Sequence, residues 1–194
     1  MDYEPEFGLR SAFRQLSFLC HELAILQDGK PIRWLVLLFS PCAGVVISYR
    51  IDRCGYLLFG RPWILLRILF VPVFALLAFF SCPHEICFKA DIGRGLRVRH
   101  PTLGVVVHGE AIVGAGCLLN GGNSIGSRKP IRRGDLIVGD SVELGINACI
   151  LGPATIGNNV MIGAGAIAIS NIEDNSVAVG IPAKKLRRHE SSTG

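Results

Sequence analysis

A six-residue step governs the C-terminal half of this chain. Ile86, Ile92 and Val98 keep that step in one run, Val107, Val113, Leu119 and Ile125 in a second, and Val138, Leu144, Ile150, Ile156, Ile162 and Ala168 in a third. Glycine often follows the periodic residue (Gly93, Gly114, Gly126, Gly139, Gly145, Gly157, Gly163), and the fourth residue beyond it is small or apolar (Leu96, Cys117, Val142, Ala148, Ala154, Val160, Ala166). An α-helix turns every 3.6 residues and cannot hold a six-residue register on one face. Short strands joined by tight turns can, with one side chain per hexad filling the interior and glycine accepting backbone angles that other residues resist. Three hexads close one triangular coil, and coils stack at the ~4.8 Å spacing of a sheet. The pattern therefore predicts a prismatic β-helix.

The step slips twice. It is nine between Val98 and Val107 and thirteen between Ile125 and Val138. The extra residues must leave the prism as loops, and loops on a rigid scaffold are where function concentrates. The first holds RHPTLG with His100; the second holds GSRKPIRRGD with Arg128, Lys129, Arg132 and Arg133. The plainer alternatives are a histidine that caps a turn and a basic loop that is merely solvated.

Before residue 83 the texture is different, and residues 1–82 read as an apolar helical region, 83–181 as the β-helix domain and 182–194 as a basic tail. Leu9, Phe13, Leu16, Leu23 and Leu26 recur at helical spacing until QDGKP, Gln27 to Pro31, breaks the run. Two apolar stretches follow, WLVLLFSPCAGVVISYRI from Trp34 and PWILLRILFVPVFALLAFFSC from Pro62. From Ile64 to Phe80 the second has 17 residues with one charge, Arg67, and one kinking proline, Pro72, which is the lower edge of what spans a ~30 Å hydrocarbon core. Two readings stay open: buried or oligomer-packing helices, and a membrane-surface anchor with Arg50, Arg53, Arg61 and Arg67 near headgroups.

The balance of 20 Lys and Arg against 15 Asp and Glu gives +5, a modest excess that suits small anions or lipid headgroups as much as nucleic acid, so charge alone names no partner, and no nucleic-acid partner is expected. Seven cysteines form no CxxC pair and no zinc-spaced cluster with histidine, so reduced, mostly buried thiols and no metal are expected. The start, MDYEPEFG, lacks the basic region of a secretory signal. The expectation is a cytoplasmic protein, associated at most with the inner face of the membrane.

GRGLRVRHPTLGVVV, GDLIVGDSVELGINACILGPATIGNNVMIGAGAI and NSVAVGIPAKKL resemble the serine acetyltransferase family of left-handed β-helix acyltransferases, and within it the branch of exopolysaccharide and colanic acid biosynthesis. The resemblance covers about Phe59 to Leu186. It implies acetyl transfer from acetyl-CoA to a hydroxyl by a homotrimer with sites between neighbouring prisms. It also implies that the histidine after the IGRG hexad, here His100, is the general base, and that the carboxylate fifteen residues upstream, here Glu85, orients it. The chemistry is coherent, since a high-pKa hydroxyl attacks a thioester only as a base takes its proton, and a carboxylate on the far ring nitrogen stabilises the imidazolium. Acetyl-CoA would lie along the prism's edge beside Gly145, Ala164 and Gly165, with Lys184 and Lys185 offered to its phosphates.

The departures from the family concern the acceptor. Serine-using members place an aspartate before the histidine to receive the substrate ammonium and read R-H-P in the second loop; here Arg99 precedes His100 and the loop reads Arg128-Lys129-Pro130. Two like charges ~4 Å apart cost about 1 kcal/mol even in water. Arg99, Arg128 and Lys129 suit a neutral or anionic acceptor, such as the hydroxyl of a sugar or lipid-linked sugar in surface polysaccharide or lipopolysaccharide assembly. Serine O-acetylation for cysteine synthesis is the alternative, and a non-catalytic membrane-associated scaffold the alternative of another class. A metal-dependent hydratase would need His84, His100 and His108 to converge. His108, directly after the inward Val107, reads as structural or acceptor-facing.

Overall fold

The computed structural model describes residues 5–27, 40–80 and 84–186, with side chains omitted for 73–80. The break after Gln27 and the start of the Trp34 stretch lie outside the described residues. Helix α1 (Leu9–Gln27) is followed by α2 (Pro41–Phe59) and α3 (Trp63–Phe80). Fifteen short strands follow: β1 (His84–Ile86), β2 (Asp91–Ile92), β3 (Arg97–Val98), β4 (Val105–Val107), β5 (Ile112–Val113), β6 (Leu118–Leu119), β7 (Asn123–Ser127), β8 (Leu136–Val138), β9 (Glu143–Leu144), β10 (Cys149–Gly152), β11 (Ala154–Ile156), β12 (Met161–Ile162), β13 (Ile167–Ala168), β14 (Val177–Val179) and β15 (Lys184–Leu186).

The strands form three parallel sheets that are the faces of a left-handed prism: β1-β4-β7-β10-β13, β2-β5-β8-β11 and β3-β6-β9-β12-β14, the last extended by an antiparallel β15. Thus Lys184–Leu186, read from sequence as part of a tail, turn back as an edge strand. All thirteen residues of the six-residue pattern are buried, none more than 9% exposed, and so are the seven small or apolar residues four positions beyond. Partners on successive coils are 18 residues apart where coils are regular, as for Val107 and Ile125 or Ile150 and Ala168. They are 21 apart across the first slip (Ile86 and Val107) and 25 across the second (Ile125 and Ile150). Both slips are therefore extruded loops. The final coil is two residues short, since Ile162 pairs with Ala178, a contraction the six-residue pattern did not show.

Helix α2 begins with Pro41 at its first turn and ends at Gly60, whose φ of 65° lets its N–H return to the Tyr56 carbonyl at 2.7 Å. Its inward face closes the first coil with polar groups. Arg50, wholly buried, donates to both carboxylate oxygens of Glu22 (3.0 and 2.6 Å), to Gln15 Oε1 (2.7 Å) and to the carbonyls of Ile92 (2.8 Å) and Gly93 (2.6 Å). Glu22, 1% exposed, also accepts the amides of Gly95 and Leu96. Arg53 donates to the carbonyls of Phe88 and Lys89, and the Tyr49 hydroxyl donates to that of Ala90. These groups satisfy the first coil's edge, which has no strand above it among the described residues, as buried polar atoms require.

Arg50 and Arg53 are therefore not headgroup contacts, which corrects that part of the sequence expectation: both are buried against the prism. Helix α1 is present, but its buried positions are Ser11, Ala12, Gln15 and Glu22, while Leu9, Phe13 and Leu16 are exposed. The Arg50 network takes Gln15 and Glu22 of α1 inward and leaves Leu9, Phe13 and Leu16 outside, while Leu19 packs against the core and Leu23 and Leu26 are half-buried. Helix α3 packs through Trp63, whose indole N–H donates to Asp52 (2.7 Å) and whose ring rests on Gly55, where a Cβ would collide with it. Among the described residues no helix is long and apolar enough to cross a membrane.

Candidate functional site

The turn between β3 and β4 joins the third face to the first, and the same edge recurs once per coil. His100 lies on it in the first coil, Gly121 and Gly122 in the second, Gly145 in the third, and Ala164 and Gly165 in the fourth. His100 has left-handed backbone angles (φ 47°, ψ 49°) and leads a 3-10 turn, Pro101–Leu103, whose Leu103 amide returns to the His100 carbonyl at 3.1 Å. The turn rests on the coil below through Gly122 N–H to Gly104 carbonyl (2.7 Å) and Arg99 N–H to Leu119 carbonyl (2.8 Å). At Gly121, with φ of 90°, a Cβ would run into the His100 carbonyl oxygen. Only glycine allows the loop to lie so low.

Asn123, 2% exposed, holds this strap from inside. Its Oδ1 accepts from Gly121 N–H (2.9 Å) and its Nδ2 donates to the carbonyls of Gly145 (2.7 Å) and Ala148 (3.1 Å). Further along the edge, Gly145 is pressed against the next coil, a Cβ there falling 2.5 Å from Ala164 N, while Gly165 faces open space at φ 67°. Gly145, Ala164 and Gly165 thus share one edge with His100, Gly165 about 14 Å away by three strand spacings. Lys184 pairs in register with Val179 at the end of that edge. Lys185 is engaged with Glu173 at 2.6 Å, a contact that holds the exposed Glu173 carboxyl below its usual range.

Glu85 is exposed on β1 opposite Val106. Among the described residues no hydrogen bond or ion pair joins it to His100, whose side chain is also exposed. Glu85 lines a groove of about 480 Å³ with Val106, Asn123 and Ser124, which Leu103 and Gly104, just beyond His100 in its turn, close on one side. Arg99 is exposed beside His100. Arg128 and Lys129 lie on another edge, between the first and second faces, in the loop from β7 to β8. There the Ser127 hydroxyl bonds the Lys129 carbonyl at 2.6 Å. A single chain does not bring that loop to His100.

Sequence reasoning weighed His84 only as a metal ligand and missed its contact with α2. Its Nε2 lies in hydrogen-bond contact with Ser48 Oγ at 2.7 Å, and that hydroxyl also lies 3.0 Å from the Val45 carbonyl. It lines the Glu85 groove and a second cleft of about 410 Å³ shared with Ser48, Asp52 and Arg67. Burial pushes the Asp52 carboxyl up, against the Trp63 and Arg67 contacts that favour its charge. His84 follows no motif; only its tertiary partner on α2 marks it. His108 accepts the Glu110 amide on Nδ1 at 3.2 Å and so caps its own turn. Of the six described cysteines, all free, only Cys117 is buried, fewer than expected. Among the described residues no group of three histidine, cysteine or carboxylate side chains could hold a metal ion.

Residues 135–167 match the bacterial transferase hexapeptide (six repeats) family. The chain is 30% identical over 167 residues to serine acetyltransferase of Helicobacter pylori strain J99, an alignment spanning 84% of this chain and 93% of that protein. It is 37% identical over 92 residues to the bifunctional protein GlmU of Psychrobacter sp. strain PRwf-1, covering 47% of this chain and only 19% of GlmU. The crystal structure of serine acetyltransferase from Neisseria gonorrhoeae superposes with a TM-score of 0.69 at 27% identity, over 91% of this chain and 66% of that one.

Proposed function

The chain belongs to the serine acetyltransferase family of hexapeptide-repeat acyltransferases, and from that premise we propose that it transfers acetyl from acetyl-CoA to a hydroxyl, with His100 as the general base. The observation that carries this reading is similarity to a serine acetyltransferase over 93% of that protein's length, joined to an exposed histidine on the edge that bears Gly145, Ala164 and Gly165. In the reaction His100 takes the acceptor's hydroxyl proton as its oxygen attacks the thioester carbonyl. The tetrahedral intermediate collapses, the C–S bond breaks, and the imidazolium returns the proton to the CoA thiolate. Glu85 orients the ring once ligand closes the groove, since catalytic hydrogen bonds often form only in the loaded site. CoA lies along the His100 edge, with Lys184 and Lys185 near its phosphates.

Serine is the acceptor to test first, because the relatives similar over most of their length act on it by name. The hydroxyl of a sugar, free or lipid-linked, is a second reading favoured by one observation: Arg99, exposed beside His100, puts a cation where a serine ammonium would need a carboxylate. Arg128 and Lys129 reach that acceptor from a neighbouring copy in a homotrimer, because their edge is not the His100 edge. The test is thiol release from acetyl-CoA by the full chain with L-serine and with a panel of sugars. Acceptor-dependent release that disappears in His100→Ala supports the reading; release that survives His100→Ala, or no release with any acceptor, overturns it.

A further inference from the structure

Among the described residues helix α3 leaves an apolar surface uncovered. Trp63 is buried and Leu66 and Arg67 partly so, whereas Ile64 (49% exposed), Leu65 (72%), Ile68 (66%), Leu69 (75%) and Val71 (56%) face outward. The sole cation in this part of the helix, Arg67, is paired with Asp52 at 2.9 Å, so the outer surface carries no free charge. Ile64, Ile68 and Val71 fall at i, i+4 and i+7 and form a strip along one side. At its foot lies a cleft of about 540 Å³ lined by Tyr56, Arg61, Ile64, Lys89, Glu110 and Arg133. Three cations thus stand there against one carboxylate. Arg133 is fixed by Asp91 at 2.9 Å, but Arg61 and Lys89 are exposed and form no ion pair among the described residues. An apolar strip that begins in a basic cleft is complementary to a layer with anionic headgroups above acyl chains.

We propose that this surface docks the protein on an anionic lipid bilayer, with Ile64, Leu65, Ile68 and Leu69 entering the headgroup boundary and the exposed Arg61 and Lys89 holding lipid phosphates. The inference deepens the membrane-side form of the sugar reading and rests on it for purpose, but not on His100 chemistry for its test. It also replaces Arg50 and Arg53 as headgroup ligands with residues that are accessible.

Flotation of the full chain with vesicles of phosphatidylcholine, with and without phosphatidylglycerol, tests it. Binding to the anionic vesicles is expected to weaken at high salt and to fall roughly fivefold for each of Arg61→Gln and Lys89→Gln. Ile68→Glu with Leu69→Glu abolishes it while the melting temperature stays unchanged. Equal binding to both vesicle types, or none, overturns the proposal. So does inorganic phosphate bound at the cleft without flotation, or a glutamate pair that alters oligomeric mass by light scattering and leaves flotation intact, since the occupant is then a free anion or a second copy. Loss of thiol release alone bears on the enzymatic reading and leaves flotation as the measure of this one.

Discussion

His100 holds a left-handed backbone conformation at φ 47°, which costs a non-glycine residue about 1 kcal/mol or more. His100→Gly should therefore raise stability by about that amount while abolishing turnover, as followed by thermal melts beside thiol release; a glycine variant that is both active and unchanged in stability would argue against a catalytic imidazole. Arg99 bears on the acceptor. If its charge excludes serine, Arg99→Asp raises kcat/KM for serine by about tenfold or more and lowers it for a sugar, whereas no change in either ratio leaves Arg99 without a role in selection. Cys117 supplies a pH-dependent check on the core. Burial pushes its thiol up to about 12, so a thiol reagent at mildly alkaline pH should modify exposed Cys20 readily and Cys117 only in denaturant. A raised thiol pKa favours the protonated form in the native state, so the stability from neutral Cys117 is present below the unfolded value and declines as pH rises through the folded one.

At the scale of elements, the join between helices and prism rests on the Arg50–Glu22 pair. Glu22→Ala strands a buried guanidinium and should cost about 3–5 kcal/mol, while an apolar replacement of both residues costs far less; chemical denaturation of the single and double variants measures the difference. The turn beneath His100 has its own test. Gly121→Ala drives a Cβ into the His100 carbonyl and should lower kcat more than it lowers melting temperature. The β-helix was legible because its rule is local: one apolar residue in six, with both insertions extruded as loops and only the shortened final coil escaping the pattern. The helical cap was not. Whether Arg50 meets lipid or protein depends on Gln15, Glu22, Ile92 and Gly93, 28 to 43 residues away, and no periodicity carries that information. The same holds for α1, which buries Gln15 and Glu22 while Leu9, Phe13 and Leu16 stay exposed.

For the whole molecule, the slips in the six-residue step gave both loops correctly but not their relation. His100 and the Arg128–Lys129 loop occupy different edges of one prism, a consequence of which face each slip follows. If they act together, they do so between copies, and mixing inactive His100→Ala with inactive Lys129→Glu chains should restore part of the activity in mixed oligomers. Absence of any restoration, with mixing verified by mass, would place the second loop outside the site. Glu85 and His100 both lie in the first coil of one prism, and no hydrogen bond joins them among the described residues. The most direct measurement is acceptor-dependent release of free thiol from acetyl-CoA by the full chain and by His100→Ala. General-base catalysis predicts that kcat falls about 10²- to 10⁴-fold with little change in KM for acetyl-CoA; an undiminished rate in the alanine variant would contradict the account.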